Sequence, residues 1–115
     1  MKFQTAKGTI RINPEVFAQI GGYAASNCFG VKGMAKRSMA DGIVSLLKNE
    51  MVSKGIKVYS TDGQVSIDLH IVVEHGININ AVSESIMGEV RYVIERYTGV
   101  KVQKVRVYVD SIMTD

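Results

Sequence analysis

Residues 56–74 read IKVYSTDGQVSIDLHIVVE. Thr61-Asp62-Gly63-Gln64 contains the Asp-Gly pair favoured in two-residue hairpin turns, where both central residues need positive φ. After it Val65, Ile67, Leu69, Ile71 and Val73 alternate with Ser66, Asp68, His70, Val72 and Glu74. Period two over that length predicts a long strand with one apolar and one mostly polar face. Ile56-Lys57-Val58-Tyr59 supplies the partner strand before the turn. The apolar face needs a layer against it, and the flanking sequence offers amphipathic helices.

Downstream, Glu74-His75-Gly76 turns the chain and Asn78 or Asn80 can cap a helix. That helix places Val82, Ile86, Val90, Val93, Ile94 and Tyr97 on one stripe, with Glu84, Arg91 and Glu95 opposite, and ends at Gly99 with Arg96 in its last turn. A final strand starts at Val100. Val100 and Val102 fall in one phase and Val105, Val107 and Val109 in the other, which predicts a bulge near Gln103-Lys104. Upstream, Thr9-Ile10-Arg11-Ile12 alternates as a half-buried strand. Asn13-Pro14-Glu15 then signals a helix start, since Asn can accept from an orphan N–H and proline loses nothing at the first helical position. Phe17, Ile20, Ala24 and Cys28 form its apolar stripe, with Val16 and Gly21 beside it. Gly21 and Gly22 each cost about 0.8–1 kcal/mol in a helix interior, so a close approach to another element is expected there.

Residues 30–38, GVKGMAKRS, read as a connection. A second, shorter helix follows on Met39, Ile43, Leu46 and Leu47 and ends at Ser53-Lys54-Gly55. The order β-α-(α)-β-β-α-β predicts an α+β fold, a two-layer sandwich with a four-stranded mixed sheet and helices on one face. Tyr59, Asp68, His70 and Val72 have the parity of the outer sheet face, which meets water or a partner.

At 115 residues, 46% hydrophobic and 22% charged, the chain fits one compact soluble domain spanning residues 1–115. A single cysteine cannot make an internal disulfide, which suits a reducing cytosol or a redox-indifferent site. No apolar run reaches the ~20 residues of a membrane span, and MKFQTAKGTI lacks the apolar segment of a signal peptide. The net charge is +3, but residues 1–57 carry +6 and the remainder −3. Such asymmetry can make one face basic.

Cys28 with His70 or His75 has the residue types of a thiolate–imidazole pair, yet Cys28 falls on an apolar stripe, where a free cysteine acts as a small hydrophobe. Asp68 and His70, two apart on one strand, could donate two metal ligands, but no third stands beside them and a solvated polar face accounts for them better. No spacing marks Glu74, Glu84, Glu89 or Glu95 as an acid/base pair. Catalytic residues, metal ligands and cofactors are therefore not assigned. Gly30-Val31-Lys32-Gly33 is a GxxG with an internal cation. Between two helices, as in KH domains, such a loop lets backbone approach nucleic-acid phosphates. A nucleic-acid-binding module using Gly30–Gly33 with Lys32, Lys36 and Arg37 is accordingly the alternative function.

Taken together, KGTIRINPEVFAQIGGYAA, FGVKGMA, KGIKVYSTDGQVSIDLHIVVEHGININAVSESI and TGVKVQKVRVYVDSI resemble the alkaline shock protein family, also called the envelope stress response family, of mainly Gram-positive bacteria. ADGIVSLLKNE after GMAKR resembles its YloU-like branch of small proteins. The resemblance implies a cytoplasmic protein without established catalysis, linked to cell-envelope homeostasis. It also implies self-association and a protein partner that can hold the chain peripherally at the membrane. Genes of that branch lie near lipid metabolism, and the charged tails of longer members are absent from this sequence. Gly30, Gly33, Asn78 and Gly99 match the family pattern as turn and cap positions. The favoured reading is a non-enzymatic interaction module, with Lys32, Lys36, Arg37, Tyr59 and Val72 as candidate partner contacts and nucleic acid not expected as a partner.

Overall fold

The computed structural model describes residues 1–35, 50–53 and 55–114. The expected second helix on Met39–Leu47, together with Lys36 and Arg37, lies outside the described residues. Strands β1 (Lys2–Thr5) and β2 (Gly8–Arg11) form a separate antiparallel hairpin. Helix α1 (Pro14–Ser26) follows, then β3 (Val31–Met34), β4 (Glu50–Ser53), β5 (Ile56–Thr61), β6 (Gln64–Glu74), helix α2 (Ile79–Thr98) and β7 (Val102–Met113). Strands β3 to β7 make the main sheet of an α+β fold.

β6 organises that sheet. Along one edge β5 pairs antiparallel with its first half, Thr61↔Gln64 to Ile56↔Leu69, and β3 continues antiparallel along its second half, Met34↔Ile71 to Val31↔Val73. Along the other edge β7 runs parallel from Val65↔Val102 to Glu74↔Met113. β4 extends the sheet beyond β5. The sheet is therefore mixed and four strands wide, because two of its five strands share one edge of β6. At their junction His70 N donates to Gly55 O at 2.7 Å and Ala35 N donates to His70 O at 2.8 Å. Gly55 is required there. Its φ is +81°, and a Cβ would lie 2.3 Å from Ala35 O and 2.8 Å from His70 O.

The hairpin turn is as expected, with Asp62 at φ 52° and Gly63 at φ 77°, the two positive values that a twist-matched two-residue turn requires. Asn78 caps α2 by accepting from Ala81 N, and Gly99 ends it in the left-handed region with φ 74°. Asn13 caps α1 by accepting from Glu15 N, with Pro14 at the first helical position. Val65, Ile67, Leu69, Ile71 and Val73 of β6 are buried against Phe17, Ala24 and Ala25 of α1 and Val82, Ile86, Val90 and Ile94 of α2. Burying each large aliphatic side chain contributes about 1.5–3 kcal/mol. Phe3 of β1 joins the core edge-on to Phe17, with ring centroids 5.9 Å apart.

Several expectations are corrected. Thr9–Ile12 is not a half-buried strand of the main sheet: β2 is exposed along its length and, among the described residues, pairs only with β1. The connection at residues 30–38 contains β3, since Val31–Met34 finds the free second half of β6. Gly33 is thus a strand residue at a register shift, whereas Gly30, at φ 87°, is a turn residue as expected. The second helix, expected to run up to Ser53-Lys54-Gly55, does not reach there, because Glu50–Ser53 is strand β4. Tyr97 leaves the buried stripe of α2 and is 72% exposed. The bulge near Gln103 is present as a register shift between Val102 and Lys104, and a second occurs between Val109 and Ser111.

Candidate functional site

The face of β6 turned away from the helices carries Ser66, Asp68, His70, Val72 and Glu74. Register places Lys57 and Tyr59 of β5 beside Asp68 and Ser66, and Lys104, Arg106 and Tyr108 of β7 beside Ser66, Asp68 and His70. Directly paired residues point to the same side of a sheet, so these side chains form one continuous surface. The helix core packs against the other face of β6, on Val65, Ile67, Leu69, Ile71 and Val73.

Its centre is Asp68, only 6% exposed although it faces outward. A carboxylate so shielded needs partners. Arg106 Nε donates to Asp68 Oδ1 at 2.8 Å and Nη2 donates to Oδ2 at 3.2 Å, a two-pronged pair that fixes the guanidinium plane. Arg106 Nη2 also donates to Tyr59 Oη, and Tyr59 Oη donates to Asp68 Oδ1 at 3.4 Å. Hydrogen bonding to Asp68, and then the charge of Asp68, hold the Arg106 guanidinium even more firmly in its charged form than usual. Lys57 Nζ lies 5.5 Å and the Arg106 guanidinium 5.8 Å from the centre of the Tyr59 ring, within cation–π range.

Two residues along, the His70 ring stacks on Tyr108 with centroids 4.6 Å apart and planes 10° apart. His70 Nδ1 lies 3.1 Å from both oxygens of Asp110, so the proton on that nitrogen points at the carboxylate. Asp68 and His70 thus turn to separate partners instead of converging. Among the described residues no cluster of three or more His, Cys, Asp or Glu could hold a metal ion.

The candidate residues fall in different places. Tyr59 and Val72 share the outer face, but their β6 positions, 66 and 72, are about 20 Å apart at 3.3–3.4 Å per residue. Lys32 lies on β3 with Nζ 3.5 Å from Glu74 Oε1, a half-exposed ion pair of the kind worth at most about 1 kcal/mol. Since residues 31–33 are strand, GxxG is not a loop between two helices, and the geometry that suggested phosphate approach is missing. Cys28 sits at the end of α1 on the helix side, its Sγ bonding Ala24 O at 3.3 Å, while His70 is engaged on the opposite face. Burial, and then the charge of Glu89, push the Cys28 thiol above the ordinary range. With Ile20, Tyr23, Val93 and Tyr97, Cys28 lines an open groove of about 910 Å³ between α1 and α2.

Arg106, Tyr108 and Asp110 carry much of the outer face and are not marked by any local motif. They lie 38 to 40 residues from their partners, and the sign that could have found them is the alternation of β7 laid in parallel beside Asp68 and His70.

Residues 2–114 match the model of the alkaline shock protein family, described as having a cell envelope-related function. The chain is 34% identical over 113 residues to the uncharacterized protein YloU of Bacillus subtilis, covering 97% of this chain and 94% of that one. It is 37% identical over 113 residues to the uncharacterized protein Spy1614 of Streptococcus pyogenes serotype M6, covering 97% and 93%. A third relative, the uncharacterized protein YqhY of Bacillus subtilis, is 31% identical over 111 residues, covering 96% and 82%. No solved structure is significantly similar.

Proposed function

This chain belongs to the alkaline shock protein family, whose function is cell envelope-related, and from that premise we propose that it is a non-enzymatic interaction module that self-associates and docks on a protein partner through the outer sheet face. One observation carries the reading. The face presents Arg106 and two tyrosines, residue types that dominate binding energy at interfaces, already fixed by the Asp68 fork and the His70 stack. Side chains ordered in advance lose little entropy on binding. The acids of the surface, Asp68, Asp110 and Glu74, are occupied by Arg106, His70 and Lys32, which favours recognition over proton transfer. The location that goes with this reading is the cytoplasm, with a peripheral place at the membrane through the partner.

Affinity recovery from the native cell at low and high salt, using the wild-type chain and Tyr108→Ala, tests it alongside sedimentation from micromolar to millimolar concentration. Tyr108 is 40% exposed, so its truncation should leave the fold intact. A specific protein recovered at both salts by the wild type and lost by the variant, together with concentration-dependent association, is expected. Equal recovery by both forms and strictly monomeric sedimentation would overturn the reading.

A further inference from the structure

β7 is twelve residues long and, among the described residues, pairs with β6 alone. Its other edge therefore presents backbone N–H and C=O groups, the template on which another strand can add. At its first two residues that edge is closed. Arg91 of α2 donates to Val102 O and Gln103 O, and Val102 N donates to Glu95 Oε2 at 2.9 Å. Past this clasp the strand is regular from Lys104 to Val109, with Asp110 at the second bulge.

The sequence of the open stretch is complementary to its own reverse. Laid antiparallel on a second copy about Val107, Lys104 meets Asp110, Val105 meets Val109, Arg106 meets Tyr108 and Val107 meets itself. Faces agree as well as chemistry. Lys104, Arg106 and Tyr108 point outward by register and Asp110 bonds outward-facing His70, whereas Val105, Val107 and Val109 face the helix side. Opposite charges, cation and aromatic, and paired β-branched residues are the cross-strand combinations that stabilise antiparallel pairing. A parallel neighbour in the same register would set Lys104 against Lys104 and Asp110 against Asp110.

We propose that two copies of this chain join antiparallel through the β7 edge, centred on Val107, so that the two main sheets become one continuous sheet. This rests on the self-association read above and assigns its surface. The contact is isologous, so it closes at two copies and merges both outer faces into one double-sized docking surface.

Position-specific cross-linking tests it. Val107→Cys in a Cys28→Ala background brings two identical residues opposite each other, with Cα atoms about 4.5–5.5 Å apart, inside the roughly 4.4–6.8 Å span of a disulfide. Val109→Cys in the same background leaves the two cysteines four residues out of step, about 14 Å apart. Under mild oxidation the first variant should become covalent dimer and the second should not. Lys104→Glu sets like charges opposite each other twice and should weaken the dimer about tenfold, and adding Asp110→Lys should restore it. Association by sedimentation without Val107 cross-linking, or with equal cross-linking of Val109→Cys, overturns the edge pairing and leaves self-association standing. Strictly monomeric sedimentation overturns both.

Discussion

Replacing Gly21 and Gly22 of α1 by alanine, one at a time, should affect stability unequally. Each substitution gains about 0.8–1 kcal/mol of helix propensity. At Gly21 the new Cβ would sit 3.6 Å from Ile94 Cδ1 and 3.8 Å from Ile67 Cδ1 and Val90 Cγ1, which is ordinary contact. The methyl therefore adds buried apolar surface worth up to about 0.8 kcal/mol, and Gly21→Ala should stabilise by about 1–2 kcal/mol. At Gly22 the same atom would lie 2.7 Å from Ile56 Cδ1, and Ile56 is only 3% exposed. That end group must move by about 1 Å in a filled core, at an overpacking cost of about 1–3 kcal/mol. Gly22→Ala should thus range from neutral to about 2 kcal/mol destabilising. Ile56→Val removes the obstructing methyl. Alone it should cost about 1 kcal/mol, but much less in the Gly22→Ala background, a coupling of about 1 kcal/mol. Urea unfolding of the four proteins of that cycle and Gly21→Ala, with m-values compared to confirm a common unfolded state, reads these differences. Equal stabilisation by both alanines, with Ile56→Val costing the same in either background, would refute the placement of α1 against β5.

Two further outcomes are expected. Gly55→Ala should destabilise by at least about 2 kcal/mol, because φ +81° and a backbone oxygen 2.3 Å from the added carbon leave no side chain to yield; unfolding midpoints equal to wild type would contradict the shared edge of β3 and β5. Cys28 should alkylate more slowly than an exposed thiol at neutral pH, because its raised pKa leaves less thiolate at any given pH, and Glu89→Gln should move the inflection of the rate–pH profile downward. An inflection below that of a free thiol would contradict the burial.

The legible parts of the fold are those written locally. Asp62-Gly63 specifies its turn through two adjacent positive φ values, Asn13-Pro14 and Asn78 supply oxygens where helices leave N–H groups unpaired, and β6 alternates without a break. β3 escapes a local reading because glycine and lysine in GVKG are turn letters in isolation, and only the distant second half of β6 gives them a ladder to join. Thr9–Ile12 misleads in the opposite sense: alternation is present, but Lys2–Thr5 is near enough to claim the strand before the main sheet can. Tyr97 fits the helical period and still lies outside the core, because it falls on the open groove between α1 and α2. The outer face is legible on β6, through Asp68 and His70, and on β5, through Tyr59. Arg106 and Tyr108 depend on a crossover that the residues of β7 do not themselves announce.

The central position of β6 also sets an order of assembly. Only its pairing with β5 closes a two-residue loop; the ladders to β3 and β7 join residues about 40 positions apart. Loop closure costs entropy before distant contacts return it, so local pairing leads and non-local pairing follows. Tyr59 and Asp68 meet in that early hairpin. Arg106, Tyr108 and Asp110 reach them only when β7 docks after α2 has formed. A nascent or partly unfolded chain therefore carries Asp68 without its guanidinium and His70 without its stack, and the recognition surface is complete only in a chain whose folding has finished.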